Sequence, residues 1–147
     1  MKNIGISLLV ITTVLISTHA NSEQSAEDII KNRKALFSKN YNTAKKVQSL
    51  SSSGDFDGAK KLMLEMSENY KTLKEMFPDN TKEGFKTEVT ALVWEEKDKF
   101  NSLMEKSSND MIKLVSIIEN TDDIRGTLGK SMWGNCKACH SKYRVEH

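Results

Sequence analysis

Residues 136–144 read CKACHSKYR, and this stretch holds both cysteines of the protein, three residues apart, with a histidine directly after the second. Side chains three apart on a helix lie on one side of it, so the two thiols match the spacing of the two vinyl groups on a haem edge. The adjacent imidazole can then turn under the ring and bind iron. The pattern predicts one covalently attached haem, with thioethers from Cys136 and Cys139 and with His140 as the axial iron ligand.

Three other uses of these cysteines compete with haem attachment. A redox dithiol of the thioredoxin type needs a strand followed by a helix, and no strand pattern is visible. A structural zinc site would use Cys136, Cys139, His140 and His147, but adjacent cysteine and histidine are awkward tetrahedral partners. A plain disulfide would leave His140 without a role. Haem attachment explains all three residues and is the preferred interpretation.

Four segments with helical periodicity surround the motif. They cover about residues 26–50, 55–77, 85–119 and the stretch from 123 onward. The clearest stripe is formed by Phe56, Ala59, Met63, Met66, Tyr70, Leu73 and Phe77. Such stripes are ordinary core more often than cofactor contacts. Because no stretch alternates apolar and polar residues, the helices can bury their stripes only against one another. The sequence predicts an all-α protein, an antiparallel four-helix bundle.

The first twenty residues have the three parts of a secretory signal. Lys2 precedes an apolar run, residues 4–16, and small residues lead to a predicted cleavage after Ala20. The run is shorter than a membrane-spanning helix requires. We therefore expect residues 21–147 to form a single domain in the periplasm, with no membrane span. Its 21 basic and 20 acidic residues give no sign of nucleic-acid binding.

The position of the motif near the end of an all-helical chain resembles the cytochrome c′ family, which includes the low-spin cytochromes c556. The resemblance covers nearly all of residues 21–147. Besides residues 136–144, it rests on the Trp94 to Phe100 stretch, on Phe77-Pro78-Asp79, and on Arg33 with an apolar residue four positions later. The resemblance implies a four-helix bundle with one haem c per chain, held between the first and fourth helices.

The resemblance also implies a coordination state for the iron. Low-spin members of the family supply a methionine from the first helix, and this first helix contains none. The position four after Arg33 is Phe37, which would cover an open sixth position as a distal lid, with five-coordinate, high-spin iron. A shift of one residue would make Leu36 the lid. Lys34 is a weaker competitor as ligand, because its ammonium must first lose a proton.

Two arginines are expected at the haem on the same basis. Arg33 lies one turn before Phe37 and would hydrogen-bond a haem propionate, although a solvated surface position is the alternative. Arg144, four residues after His140, is expected near the proximal side of the ring. A basic residue at a helix C-terminus is also favoured by the helix dipole alone.

Two functions fit these expectations. One is electron transfer with an unidentified periplasmic redox partner; the other is binding of a small diatomic gas, NO or CO, at the open iron position. A six-coordinate, low-spin electron carrier of the c556 type is the alternative state. No general acid or base is evident, so we do not expect an enzyme. Monomer and homodimer both remain open.

Overall fold

The computed structural model describes residues 24–146 of the chain. The predicted signal segment, residues 1–20, and His147 lie outside the described residues. The described part is a bundle of four long helical segments, and a long loop of residues 75–91 separates the second from the third. The predicted all-α, antiparallel four-helix bundle is confirmed.

The helices have the following bounds. They are α1 (Ala26–Ser53), α2 (Phe56–Lys74), α3 (Leu92–Glu95), α4 (Lys97–Ile117), α5 (Ile124–Leu128) and α6 (Gly134–Tyr143). A π-helical turn, Gly129–Trp133, joins α5 to α6. These three pieces are called the C-terminal helix below. One 3₁₀ turn, Asp79–Thr81, lies between α2 and α3, and a second, Ile118–Asn120, follows α4 directly.

Capping residues set the ends of the first two helices. The Ser25 hydroxyl accepts a hydrogen bond from the Asp28 N–H at 3.1 Å and donates one to the Asp28 carboxylate at 2.7 Å. Gly54 ends α1 in the left-handed conformation, with φ of 83°, and Asp55 then caps α2 through the Gly58 N–H at 2.9 Å. This short connection makes α1 and α2 antiparallel neighbours.

The core lies where α2 packs against α1 and α4. Predicted stripe residues meet there with no exposed side-chain surface: Ala59, Met63, Met66, Leu73, Met111 and Leu114. The buried hydroxyls of Ser67 and Ser108 bond each other across the α2–α4 contact at 2.8 Å. The methionines of these stripes are therefore packing residues, as the sequence indicated.

The predicted third helix is wrong at its start, and the second ends earlier than expected. Helix α2 stops at Lys74 and α3 begins only at Leu92, so residues 75–91 form a loop. Gly84, Phe85 and Lys86 have positive φ angles of 84°, 48° and 54°, which no helix can contain. The backbone breaks again at Glu96, between α3 and α4.

The loop also makes a contact that the helical pattern did not predict. Val89 forms an isolated antiparallel β-bridge with Arg144, and residues 24–146 contain no β-strand. In the same part of the chain, none of the helices has the length and apolar character to cross a bilayer.

Candidate haem site

A cavity of about 620 Å³ lies between α1 and the C-terminal helix, and the 75–91 loop forms one of its sides. Its volume is within the ~300–1,000 Å³ typical of small-molecule and cofactor sites. Aromatic side chains supply much of its wall: Phe37, Tyr41, Phe77, Phe100 and Tyr143. Phe100 packs edge-on against Phe77 and Tyr143, with ring centroids 4.7 and 5.3 Å apart. The interior therefore suits a flat, apolar ring.

Helix α6 brings two of the three predicted attachment residues to this wall. Cys139 and His140 line the cavity. Cys136 lies one turn earlier, outside the lining, with its Sγ 4.0 Å from the Tyr70 hydroxyl. Partial burial, and then the Arg144 charge, lower the pKa of His140. Both effects favour the neutral imidazole, whose lone pair can bind iron.

The environment of the thiols argues against the competing uses of the cysteines. Both are free, so no disulfide joins them. Burial raises the pKa of Cys136, and it raises that of Cys139 to about 12. This disfavours the thiolates that a redox dithiol would use, whereas an uncharged thioether suits the same place. Among residues 24–146, no group of three or more His, Cys, Asp or Glu side chains is placed to hold a metal ion.

Helix α1 forms the opposite wall. Phe37 lines the cavity and packs edge-on against Phe77, with centroids 6.4 Å apart. Leu36, the other candidate lid, packs against the hydrophobic core and is not part of the lining. Tyr41 continues the same wall one turn further along α1. The structure thus places Phe37, and not Leu36, across the cavity from the α6 wall.

Arg33 also lines the cavity, but its side chain is only 1% exposed. Its terminal nitrogens donate four hydrogen bonds: to the Met76 carbonyl, to both the carbonyl and the hydroxyl of Thr81, and to the Thr87 hydroxyl. The guanidinium carbon lies 4.6 Å from the centre of the Phe77 ring. Four bonds use all four terminal N–H groups, which leaves the Nε–H as the remaining donor. Arg33 therefore ties the 75–91 loop to α1.

A charged rim borders the cavity where the loop meets the end of α6. Glu88 binds Lys34 at 3.5 Å and Arg144 at 3.0 Å. Arg144 is not on the helix, because α6 ends at Tyr143 and Arg144 is extended. The Thr90 N–H donates to the Tyr143 carbonyl, and the Val145 N–H donates to the Glu88 carbonyl. These two bonds hold the backbone of Arg144 against the loop. Helical spacing from His140 was therefore the wrong reason for expecting Arg144 at this cavity.

Glu88 and Val89 also line the cavity, although the sequence pattern predicted a helix there and no site residue. Gly84, just before them, is the local signal of a break that could have pointed to the loop. With them, the lining has an aromatic interior bordered by Arg33, Lys34 and Arg144. An apolar ring with two carboxylates fits both parts, so the residues present fit a haem.

Comparison with known proteins agrees with this geometry. The family model described as Cytochrome C′ matches residues 28–144. A cytochrome c′ of Rhodopseudomonas palustris is 28% identical over 122 residues, covering 81% of this chain and 83% of its own length. A cytochrome c-556 of Agrobacterium tumefaciens is 32% identical over 72 residues, covering 48% of this chain and 58% of its own.

The fold is shared with solved structures as well. A solved cytochrome c′ from Rhodopseudomonas palustris superposes with a TM-score of 0.73 at 26% identity. The superposition covers 84% of this chain and 98% of that one. The family match spans α1 to the end of α6 and includes every residue of the cavity wall. The chain therefore belongs to the cytochrome c′ family and is a c-type haem protein that carries one covalently bound haem c.

Proposed function

We propose that Cys136 and Cys139 hold the haem by thioethers, that His140 is the axial iron ligand, and that the sixth position is open beneath Phe37. Haem iron exchanges one electron and, at an open position, binds diatomic gases. Binding of NO or CO is the function that this site favours. The predicted signal at residues 1–20 supports a periplasmic location.

The observation that carries the proposal is the composition of the α1 wall. The side chain there is Phe37, which has no electron pair to donate, and no methionine of the described residues lines the cavity. Met63, Met66, Met104, Met111 and Met132 are buried in the core. Met76, in the 75–91 loop, is partly buried, packs against this core and is not part of the lining. A methionine ligand would therefore require the core to open or the 75–91 loop to move.

Lys34, the competing ligand, is engaged elsewhere. Its ammonium donates to the Lys86 carbonyl at 2.9 Å and pairs with Glu88. To bind iron it would have to leave both partners and lose its proton. These costs support an open position.

Arg33 and Arg144 supply positive charge for the propionates. The Nε–H of Arg33 is the donor that the loop does not use, and Arg144 lies at the charged rim, where it shares Glu88 with Lys34. Either guanidinium would form charge-assisted hydrogen bonds with a carboxylate. We assign no catalytic role, because Glu88, the carboxylate in the described lining, is already bound to Lys34 and Arg144.

Electron transfer is the second candidate, and a different observation favours it. His140 is exposed at the protein surface while its neighbour Cys139 is partly buried in the cavity wall. A haem attached through Cys136 and Cys139, with His140 at its iron, would lie near the surface, where a partner can exchange an electron. This function does not require the sixth position to be open, so it also accommodates a low-spin state of the c556 type.

Absorption and paramagnetic resonance spectra of the purified holoprotein, with and without carbon monoxide, test the proposal. The parent should be high-spin and should bind carbon monoxide when reduced. Phe37→Ala should bind it faster, because the ring no longer obstructs the iron, and Phe37→Met should shift the iron toward low spin.

Leu36→Met is the matched control, since it places the same thioether one residue away and off the cavity wall. It should leave the spin state unchanged. If Leu36→Met becomes low-spin and Phe37→Met does not, the lid is Leu36. A parent that is already low-spin and slow to bind carbon monoxide would refute the open position and leave electron transfer as the function.

A further inference from the structure

Acidic and basic residues are divided unevenly between the helices. Residues 29–54 contain six Lys and Arg and no acid, and residues 124–145 contain five and no acid. Residues 55–123 contain ten Lys and Arg against sixteen Asp and Glu, a net charge of −6. The first basic stretch is α1 without its first turn, which carries Glu27 and Asp28, and the second is the C-terminal helix; together they enclose the cavity. One side of the bundle is therefore strongly positive, although the whole chain is nearly neutral.

Ion pairs neutralise only part of this charge. Glu88 binds Lys34 and Arg144, Glu65 binds Lys39, and Glu96 binds Lys142. The remaining exposed cations on these two helices form no ion pair among residues 24–146: Lys31, Lys45, Lys46, Arg125, Lys130 and Lys137. Their field is thus available to attract an anionic group.

Two aromatic rings lie among these cations, next to the cavity. Tyr41 lines the cavity and is 55% exposed, and Trp133 packs edge-on against it with centroids 6.0 Å apart. The Lys45 ammonium lies 5.4 Å from the centre of the Tyr41 ring, and Lys130 is in the same π-helical turn as Trp133. We call these four residues the basic face. Exposed tyrosine and tryptophan are typical anchors of protein interfaces.

We propose that the basic face is the docking surface for a soluble electron-transfer protein that presents a cluster of carboxylates. The inference rests on the electron-transfer part of the proposed function. Opposite charges speed the encounter, and the adjoining cavity wall would bring a docked partner next to the haem. Gln48 accepts a hydrogen bond of 2.8 Å from the Trp133 Nε1–H, which holds that ring in its edge-on contact with Tyr41.

The first test measures how fast hexacyanoferrate(III), an anionic oxidant, oxidises the reduced holoprotein in a stopped-flow instrument. The Lys45→Glu/Lys130→Glu variant should react about tenfold more slowly at low ionic strength, and the difference should fade as salt is added. The control is Lys61→Glu/Lys113→Glu, which changes two exposed, unpaired lysines of α2 and α4 and has the same net charge. Equal slowing of both variants would refute the basic face, because net charge alone would explain it.

The second test asks what binds. Poly-L-glutamate should protect the parent from hexacyanoferrate(III) and should protect the Lys45→Glu/Lys130→Glu variant much less. If phosphatidylglycerol vesicles bind the parent and poly-L-glutamate does not, the face is a lipid-binding surface and the proposal is wrong. Reduction of the parent haem and its reoxidation by hexacyanoferrate(III) at high salt, where charges are screened, test the electron-transfer function separately from the basic face.

Discussion

Replacing Arg33 with leucine should destabilise the folded protein by about 3 kcal/mol. The side chain is buried, and its four hydrogen bonds end on the 75–91 loop. Leucine would leave the Met76 and Thr81 carbonyls without these donors, at about 1 kcal/mol or more each. The contact with the Phe77 ring contributes about another 1 kcal/mol. The Thr81 hydroxyl loses less, because it keeps its bond to the Pro78 carbonyl at 2.8 Å.

Denaturant unfolding of the oxidised holoprotein, followed by circular dichroism, measures this loss, and hydrogen exchange of residues 75–91 locates it. Burial lowers the pKa of Arg33 to about 10, so the side chain remains charged at neutral pH and the loss should not depend on pH there. Arg33→Lys keeps a cation for a propionate but cannot reach all four acceptors, so it should also be destabilised. If Arg33→Leu unfolds within about 1 kcal/mol of the parent and only its reduction potential shifts, the loop-tying role is wrong.

Three further predictions concern the haem attachment and the helix ends. Denatured parent protein should keep its haem through acid–acetone extraction, and release of the haem from the parent would contradict covalent attachment. Cys136→Ser or Cys139→Ser should weaken haem retention, and the double change should abolish it. Protein made in the cytoplasm without haem should be poorly ordered by circular dichroism, because an aromatic cavity is left without its ligand, and a cooperative melt at high temperature would contradict this. Gly54→Ala should cost about 1 kcal/mol in urea unfolding, from the positive φ alone, since a Cβ there meets no atom within 4 Å; an unchanged midpoint would show that the helix end relaxes.

The bundle and the attachment motif were predictable because each depends on local spacing. The stripe that includes Met63 and Met66 needs only helical periodicity to be recognised, and it is buried as expected. The predicted attachment residues all lie within residues 136–144. Phe37 followed from family resemblance and the absence of a methionine from α1, and the structure places it on the cavity wall.

The 75–91 loop was not predictable in the same way. The sequence predicted a break after Phe77 and a new helix from Phe85, but Phe85 and Lys86 adopt positive φ angles that neither side chain favours. The loop takes this path because Arg33, far away in the sequence, donates hydrogen bonds to the Met76 and Thr81 carbonyls of the loop. Such long-range bonding overrides local propensity and leaves no local pattern. The contacts of Glu88 and Arg144 depend on that path and were missed with it.

The π-helical turn Gly129–Trp133 sets the rotational phase of the haem attachment. A π turn contains one residue more than an α turn, and each α-helical residue advances the chain by about 100°. Leu128 and Met132 can therefore face the core while Cys139 and His140, further along, face α1. If the same residues formed a regular α-helix instead, both cysteines would turn about 100° around the helix axis, away from the direction that they now face. The π-helical form of this turn therefore sets the side of the helix on which the proposed attachment residues lie.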